Sequence, residues 1–309
     1  MTQLILHHYE LSPFAEKVRR MLAFKQLAWA SVRVPAVMPK PDLVALTGGY
    51  RKVPVLQMGN HVYCDTALIA RVLEGLAPSP TLYPDPLASP IAEWADNTVF
   101  AATRVVTRRP SRLDDVLRWL TPNELERILE DRRTMETDAR IPQASAATAS
   151  VLLAGHFAWL ERLLNDRAFI LGEQPSVADF AMYVSTWLLQ HVAPEPIAKL
   201  PNVQTWRQRM AAFPESTSTN MMPADALLVC RKSEGAVATH ANFLDPAGFA
   251  FEQTVMVRAI DYGREPALGA LVAADDREVV LRRYDERAGT VYVHFPRTGY
   301  EISAADAAA

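Results

Sequence analysis

The sequence predicts an α/β amino-terminal domain, then an all-helical domain, then a small β-rich carboxy-terminal extension. Three observations carry that prediction. Short apolar runs alternate with helix starts over residues 1–77, and five prolines crowd residues 77–90. Helical spacing of apolar residues gives way to strand-like alternation after residue 248. The boundaries read from these changes are 1–77, 86–213 and 225–309, within 309 residues.

Residues 4–9 are an apolar run of strand length. Ser12-Pro13 opens a helix, with Ser12 as N-cap and Pro13 at the first helical position, where no N–H is missed. Phe14, Val18, Met21 and Leu22 continue it at helical spacing to about Leu27. Residues 29–34 alternate like a strand, Pro41 to Leu46 forms a short helix, and Gly48-Gly49 marks a turn. Residues 53–58 and 61–64 read as a hairpin across Gly59-Asn60, and residues 66–76 as a helix. The order β-α-β-α-β-β-α is that of a thioredoxin-like domain.

Beyond the prolines, Ile91 to Thr107 reads as one helix. Thr121-Pro122-Asn123-Glu124 is a capping box opening another, and Ser176-Val177-Ala178-Asp179 is a second box. Ile141 to Ala147 reads as a loop, Ser150 to Asn165 as helix, and Pro201 to Phe213 closes the helical region. Residues 214–248 show no sustained period. Strands are expected at 251–260, 267–273, 278–284 and 290–295, as a small antiparallel sheet or partial barrel packed on the helical domain.

Composition excludes some functions. A formal charge of −3 argues against a general nucleic-acid binder. The arginine groups Arg108, Arg109, Arg112 and Arg132, Arg133 are interspersed with acids and read as solvated helix faces. Two cysteines, Cys64 and Cys230, fit a reduced, cytoplasmic compartment. No run of about 18 apolar residues predicts a membrane span. The seven histidines show no metal-binding spacing, so no metal is expected. Cys64, at a strand end, reads as buried and inert. His294-Phe295-Pro296-Arg297 is well marked but suggests no chemistry.

Two motifs point to a ligand. Val53-Pro54 places a proline inside a strand-like run, which suits a cis bond and a backbone turned outward. Asp65-Thr66 opens a helix, and helix N-termini bind carboxylates through free N–H groups. With the Ser12 loop, this pattern resembles the glutathione transferases, and most nearly their serine- or cysteine-loop, omega- or theta-like members. The resemblance covers residues 4–77 and extends to Ser176–Asp179.

That resemblance implies a site. Ser12 would donate to the glutathione thiolate, with Tyr9 the competing hydroxyl, and Phe14 would lie beside it. Val53, before Pro54, would pair with the cysteinyl backbone. Thr66 would take the γ-glutamyl carboxylate and Asp65 the ammonium group, and Lys40 of Lys40-Pro41-Asp42 would meet the glycyl carboxylate. A second-substrate pocket between the domains would include Phe100, Arg104 and Trp187. The implied activity is attack of the glutathione thiolate on a small electrophile, as in detoxification, by a cytoplasmic protein and possible homodimer. A glutathione-dependent isomerase or lyase belongs to the same class. The rival is a non-catalytic binding or assembly protein that keeps the fold. The extension beyond the usual family length leaves the usual dimer and open cleft in question.

Overall fold

A computed structural model describes residues 2–108, 120–137, 139, 144–235, 245 and 247–305. One twisted sheet of ten strands organises them, in the order β10-β6-β7-β8-β9-β4-β3-β1-β2-β5. Its amino-terminal part is β1 (Leu4–His8), β2 (Trp29–Arg33), β3 (Val55–Met58) and β4 (His61–Cys64). β1 runs parallel to β2 and antiparallel to β3, and β3 turns back into β4. Helices α1 (Pro13–Phe24), α2 (Pro41–Thr47) and α3 (Thr66–Leu76) complete the thioredoxin-like pattern.

The helical domain contains α4 (Ala88–Trp94), a π-helical segment Ala95–Val99, and α5 (Phe100–Thr107). Further on come α6 (Pro122–Glu136), α7 (Ala146–Leu163), α8 (Val177–Val192), α9 (Glu195–Ala198) and α10 (Pro201–Ala211). The expected single helix over Ile91–Thr107 therefore starts three residues earlier and is interrupted by a π segment. The loop expected over Ile141–Ala147 is corrected at its end. Ser145 caps α7 through the Thr148 amide at 3.1 Å, so residues 146 and 147 are helical. Residues 141–143 of that loop lie outside the described residues.

Both capping boxes are present. At the second, the buried Asp179 carboxylate accepts from the Ser176 N–H (2.9 Å), the Ile170 N–H (2.8 Å) and the Trp206 indole (2.9 Å). Burial pushes this carboxyl up, and those donors oppose the shift. The residue ties α8 and α10 to one core. Trp206, Phe157 and Phe180 are fully buried there with Leu6, Met21 and Ile69 from the thioredoxin-like half.

The extension does not pack as a separate layer on the helical domain. β6 (Thr254–Ala259), β7 (Ala267–Ala274), β8 (Glu278–Asp285), β9 (Gly289–Pro296) and β10 (Tyr300–Ala304) continue the amino-terminal sheet. The join is β9, which pairs parallel to β4 with His61 opposite Tyr292 and Tyr63 opposite His294. A second core forms on the other face, where Leu43, Leu46, Val55 and Val62 meet Val257, Leu281, Val293 and Phe295. Burying one such large apolar side chain stabilises by about 1.5–3 kcal/mol. Gly49 shows how close the halves come. A Cβ there would overlap the Pro266 carbonyl, and its φ of 142° already favours glycine.

Two elements were not anticipated in residues 214–248. β5 (Ser218–Met221) pairs parallel to β2 at the far edge, and α11 (Pro223–Lys232) covers the sheet with Leu227 and Cys230.

Candidate functional site

A cleft of about 1190 Å³ opens between the thioredoxin-like half and the helical domain, and the extension supplies part of its rim. Ser12, Tyr9, Phe14, Lys40, Val53, Pro54, Asp65, Thr66, Phe100, Arg104 and Trp187 all line it.

Ser12 is buried at the N-cap of α1, where its oxygen accepts from the Ala15 amide at 3.2 Å. A hydroxyl both donates and accepts, and among the described residues its proton has no protein acceptor. It sits at the positive end of a 12-residue helix. Tyr9 is engaged differently: its hydroxyl accepts from Arg132 Nη2 at 3.0 Å.

The Val53–Pro54 bond is cis. Val53 lies two residues before β3, outside the sheet ladder; it lines the cleft, and its N–H and C=O have no protein partner among the described residues. Eleven residues after Pro54, Asp65 adopts a φ of 80°, an uncommon conformation for a side-chain-bearing residue. Its carboxylate holds that turn from both sides. Oδ1 accepts from the Ala67 amide at 2.8 Å and Oδ2 from the Tyr300 hydroxyl at 3.2 Å.

Thr66 begins α3, with its hydroxyl oxygen accepting from Lys17 Nζ at 3.1 Å. Lys17 is buried and also meets Asp96 Oδ2 at 2.5 Å. Asp96 lies in the π-helical segment, and such segments recur at functional sites. Burial pushes the Asp96 carboxyl up and Lys17 pulls it back. The sequence contains a signal for this missed pair, because Lys17 falls on the buried stripe defined by Phe14, Val18 and Met21.

Lys40 is buried at the N-terminus of α2. It is 4% exposed, and Nζ donates to the Arg51 carbonyl at 3.0 Å. Burial first, then the Arg132 charge, lowers its pKa to about 8. Arg51 makes ion pairs with Asp131 and with Glu265 of the extension. Lys52 is held by Asp261 at 2.9 Å and faces the rings of Tyr50, Tyr262 and Tyr300.

On the helical side, Phe14 and Phe100 pack edge to face at 4.6 Å. Arg104 pairs with Glu136 and lies 4.6 Å over the Tyr262 ring. Trp187 lines the cleft with its ring against His191, 4.5 Å away. The solvated reading of the arginine groups is corrected at two positions. Arg108 and Arg132 line the cleft, drawn in by Glu136 and Asp131, whereas Arg133 is exposed. Arg109 and Arg112 lie outside the described residues.

Cys64 is buried and its thiol is pushed well up by that burial, as an inert cysteine requires. His294 bridges His61 (2.8 Å) and Glu278 at the β4–β9 join, away from the cleft lining. Among the described residues no group of three or more potential ligands could hold a metal, and no helix is long and apolar enough to cross a membrane.

Comparison with known proteins agrees with this architecture. Residues 6–81 match the glutathione S-transferase amino-terminal domain and residues 110–214 the carboxy-terminal domain. A GST-like protein of known crystal structure from Pseudomonas syringae is 34% identical, with a TM-score of 0.81 over 98% of this chain and 100% of that one. Its likeness therefore includes the extension. FtsZ-localized protein A of Caulobacter vibrioides is 24% identical over 223 residues, 68% of this chain and 87% of that protein. A glutathione S-transferase from Rhodospirillum rubrum F11 shares the fold, at 20% identity and a TM-score of 0.51 over 68% of this chain and 88% of that one. The chain belongs to the glutathione S-transferase family.

Proposed function

We propose that this protein binds glutathione in the cleft and presents its thiolate to a small electrophile. One observation carries the reading. The Ser12 hydroxyl, the unpaired Val53 backbone and the Asp65-Thr66 helix start line one wall of one cavity. Their chemistry suits a thiolate, an extended peptide backbone and an amino-acid end, in that order. Lys40 stands where a second carboxylate can be met.

Ser12, rather than Tyr9, is assigned to the sulfur. Both hydroxyls accept one protein hydrogen bond and keep a proton to donate, but only Ser12 sits at a helix N-terminus. A hydroxyl donor and a helix N-terminus both favour the charged form of a thiol. Positioning beside the electrophile supplies the rest of the rate. A glutathione-dependent isomerase or lyase would use the same cradle. The reading carries with it a cytoplasmic detoxification role.

Ser12→Ala tests it. Calorimetry should show glutathione still bound, while conjugation to chlorodinitrobenzene slows about a hundredfold, the usual scale for loss of a stabilising donor. Unchanged turnover removes Ser12 from the mechanism. A second reading, a non-catalytic recognition protein, draws support from FtsZ-localized protein A among the relatives. Absence of glutathione binding at millimolar concentration would favour it.

A further inference from the structure

One wall of the cleft is more cationic than the glutathione cradle requires. Lys40, Arg51, Arg104, Arg108 and Arg132 all line the cavity. Three carboxylates answer these five cations among the described residues, and none of the three reaches the cavity lining. Glu136 is shared by Arg104 and Arg108 through one nitrogen of each. Asp131 is shared by Arg51 and Arg132, and Glu265 takes a second nitrogen of Arg51. Lys40 has no carboxylate partner among the described residues.

Among the described residues the excess amounts to two charges. In the proposed function, the glycyl carboxylate of glutathione answers one of them at Lys40. The other remains on the Arg104–Arg108 side. Arg104 is 9% exposed, its Nε is buried without an acceptor, and its Nη1 has no protein partner among the described residues. Arginine donors left unpaired in so enclosed a place call for an anion. Burial first, then the Arg104 charge, lowers the affinity of Arg108 for its proton.

Beside this charge lies an apolar slot. Phe100, Arg104 and Arg108 recur at four-residue steps on one helical stretch, so they share a face. Phe100 packs against Phe14 across the domain boundary, and the Arg104 guanidinium carbon lies 4.6 Å from the ring centre of Tyr262 of the extension. A ligand on this face meets an aromatic surface first and paired guanidinium groups one turn further on.

We propose that the second substrate is a carboxylate-bearing electrophile, aromatic or conjugated, with its ring against Phe14 and Phe100 and its carboxylate received by Arg104 and Arg108. The inference rests on the glutathione reading and names the substrate class of that same site. With a chlorinated aromatic acid the step balances without a redox partner. The thiol proton goes to solvent, the thiolate sulfur forms a C–S bond at the chlorine-bearing carbon, and the C–Cl pair leaves as chloride.

The test uses the full chain and a matched pair, chlorodinitrobenzoate and its neutral primary amide. Each kcat/KM is divided by the uncatalysed rate with glutathione. The carboxylate should be preferred by roughly tenfold or more, the scale of a charge-assisted contact. That preference should fall toward unity in Arg104→Gln and at least severalfold in Arg108→Gln, whose half-exposed side chain makes loss of folding a lesser concern. Calorimetry of the two compounds on the S-methylglutathione complex reads the same preference without turnover. Equal treatment of acid and amide overturns this inference and leaves the proposed function standing. Failure to bind glutathione overturns both.

Discussion

The Tyr300 hydroxyl, on the last strand of the chain, donates to Asp65 Oδ2 at 3.2 Å. It links the carboxy-terminal extension to the residue assigned to the ammonium end of glutathione. The neighbours of Tyr300 are equally bound to the site, since Lys52 faces its ring and Asp261 holds Lys52. The extension is thus part of the cleft wall as well as a continuation of the sheet. Tyr300→Phe keeps the ring packing against Tyr50 and Phe295 and removes the hydroxyl, with its bond to Asp65 and its 3.4 Å contact to the Tyr50 hydroxyl. Glutathione affinity should fall roughly fivefold, the worth of about 1 kcal/mol for one hydrogen bond. Isothermal calorimetry checks this, with the chemical denaturation midpoint expected to fall by the equivalent of about 1–3 kcal/mol, because the buried Tyr50 hydroxyl loses its partner.

Lys17 supports Thr66 from below and neutralises Asp96. Breaking a buried ion pair by removing one partner leaves an uncompensated charge, at a cost of about 3 kcal/mol. Lys17→Met should lower the urea midpoint accordingly and weaken glutathione binding, because the Thr66 hydroxyl loses the donor that orients it. Adding Asp96→Asn should recover most of the stability and less of the affinity. Full recovery of both would mean that Lys17 acts on the fold alone.

Lys40 introduces a pH dependence. Burial, then Arg132, lowers its pKa to about 8. Only the protonated amine attracts a carboxylate, so affinity is complete below pH 8 and is lost as pH rises through it. S-methylglutathione, which has no thiol to titrate, should bind about tenfold more weakly per pH unit above 8, until the higher pKa of Lys40 in the complex is passed. Lys40→Met should bind weakly at pH 7 and lose this slope. The difference between the two profiles isolates Lys40 from titration of the ligand's own amine.

The thioredoxin-like half was legible because its signals are local. Ser12-Pro13, Gly59-Asn60 and Asp65-Thr66 each specify a helix start or turn within a few residues, and these produced β1 to α3 with boundaries within a few residues of those observed. The strands of the extension were legible from alternation, but their destination was not. β4 and β9 pair across more than two hundred residues, and nothing within either strand names the other. β5 escaped notice because Ser218, Thr219 and Asn220 are exposed polar residues, and β2 alone gives the segment its extended form. Arg108 and Arg132 looked like solvated helix charges for the same reason. Their place in the cleft depends on Glu136, Asp131 and Tyr9 meeting in three dimensions, while Tyr262 and Glu265 arrive from the extension.

In the proposed function the cleft holds glutathione as its thiolate, with Ser12 beside the sulfur. The most direct measurement is the ultraviolet thiolate absorbance of the glutathione complex as pH is varied. Free thiols ionise near a pKa of about 8.5, and the account predicts a value roughly one to two units lower in the complex. Ser12→Ala should return the titration toward the free value while the peptide stays bound. A bound glutathione that titrates like the free thiol, with or without Ser12, would rule out thiolate stabilisation by this cleft.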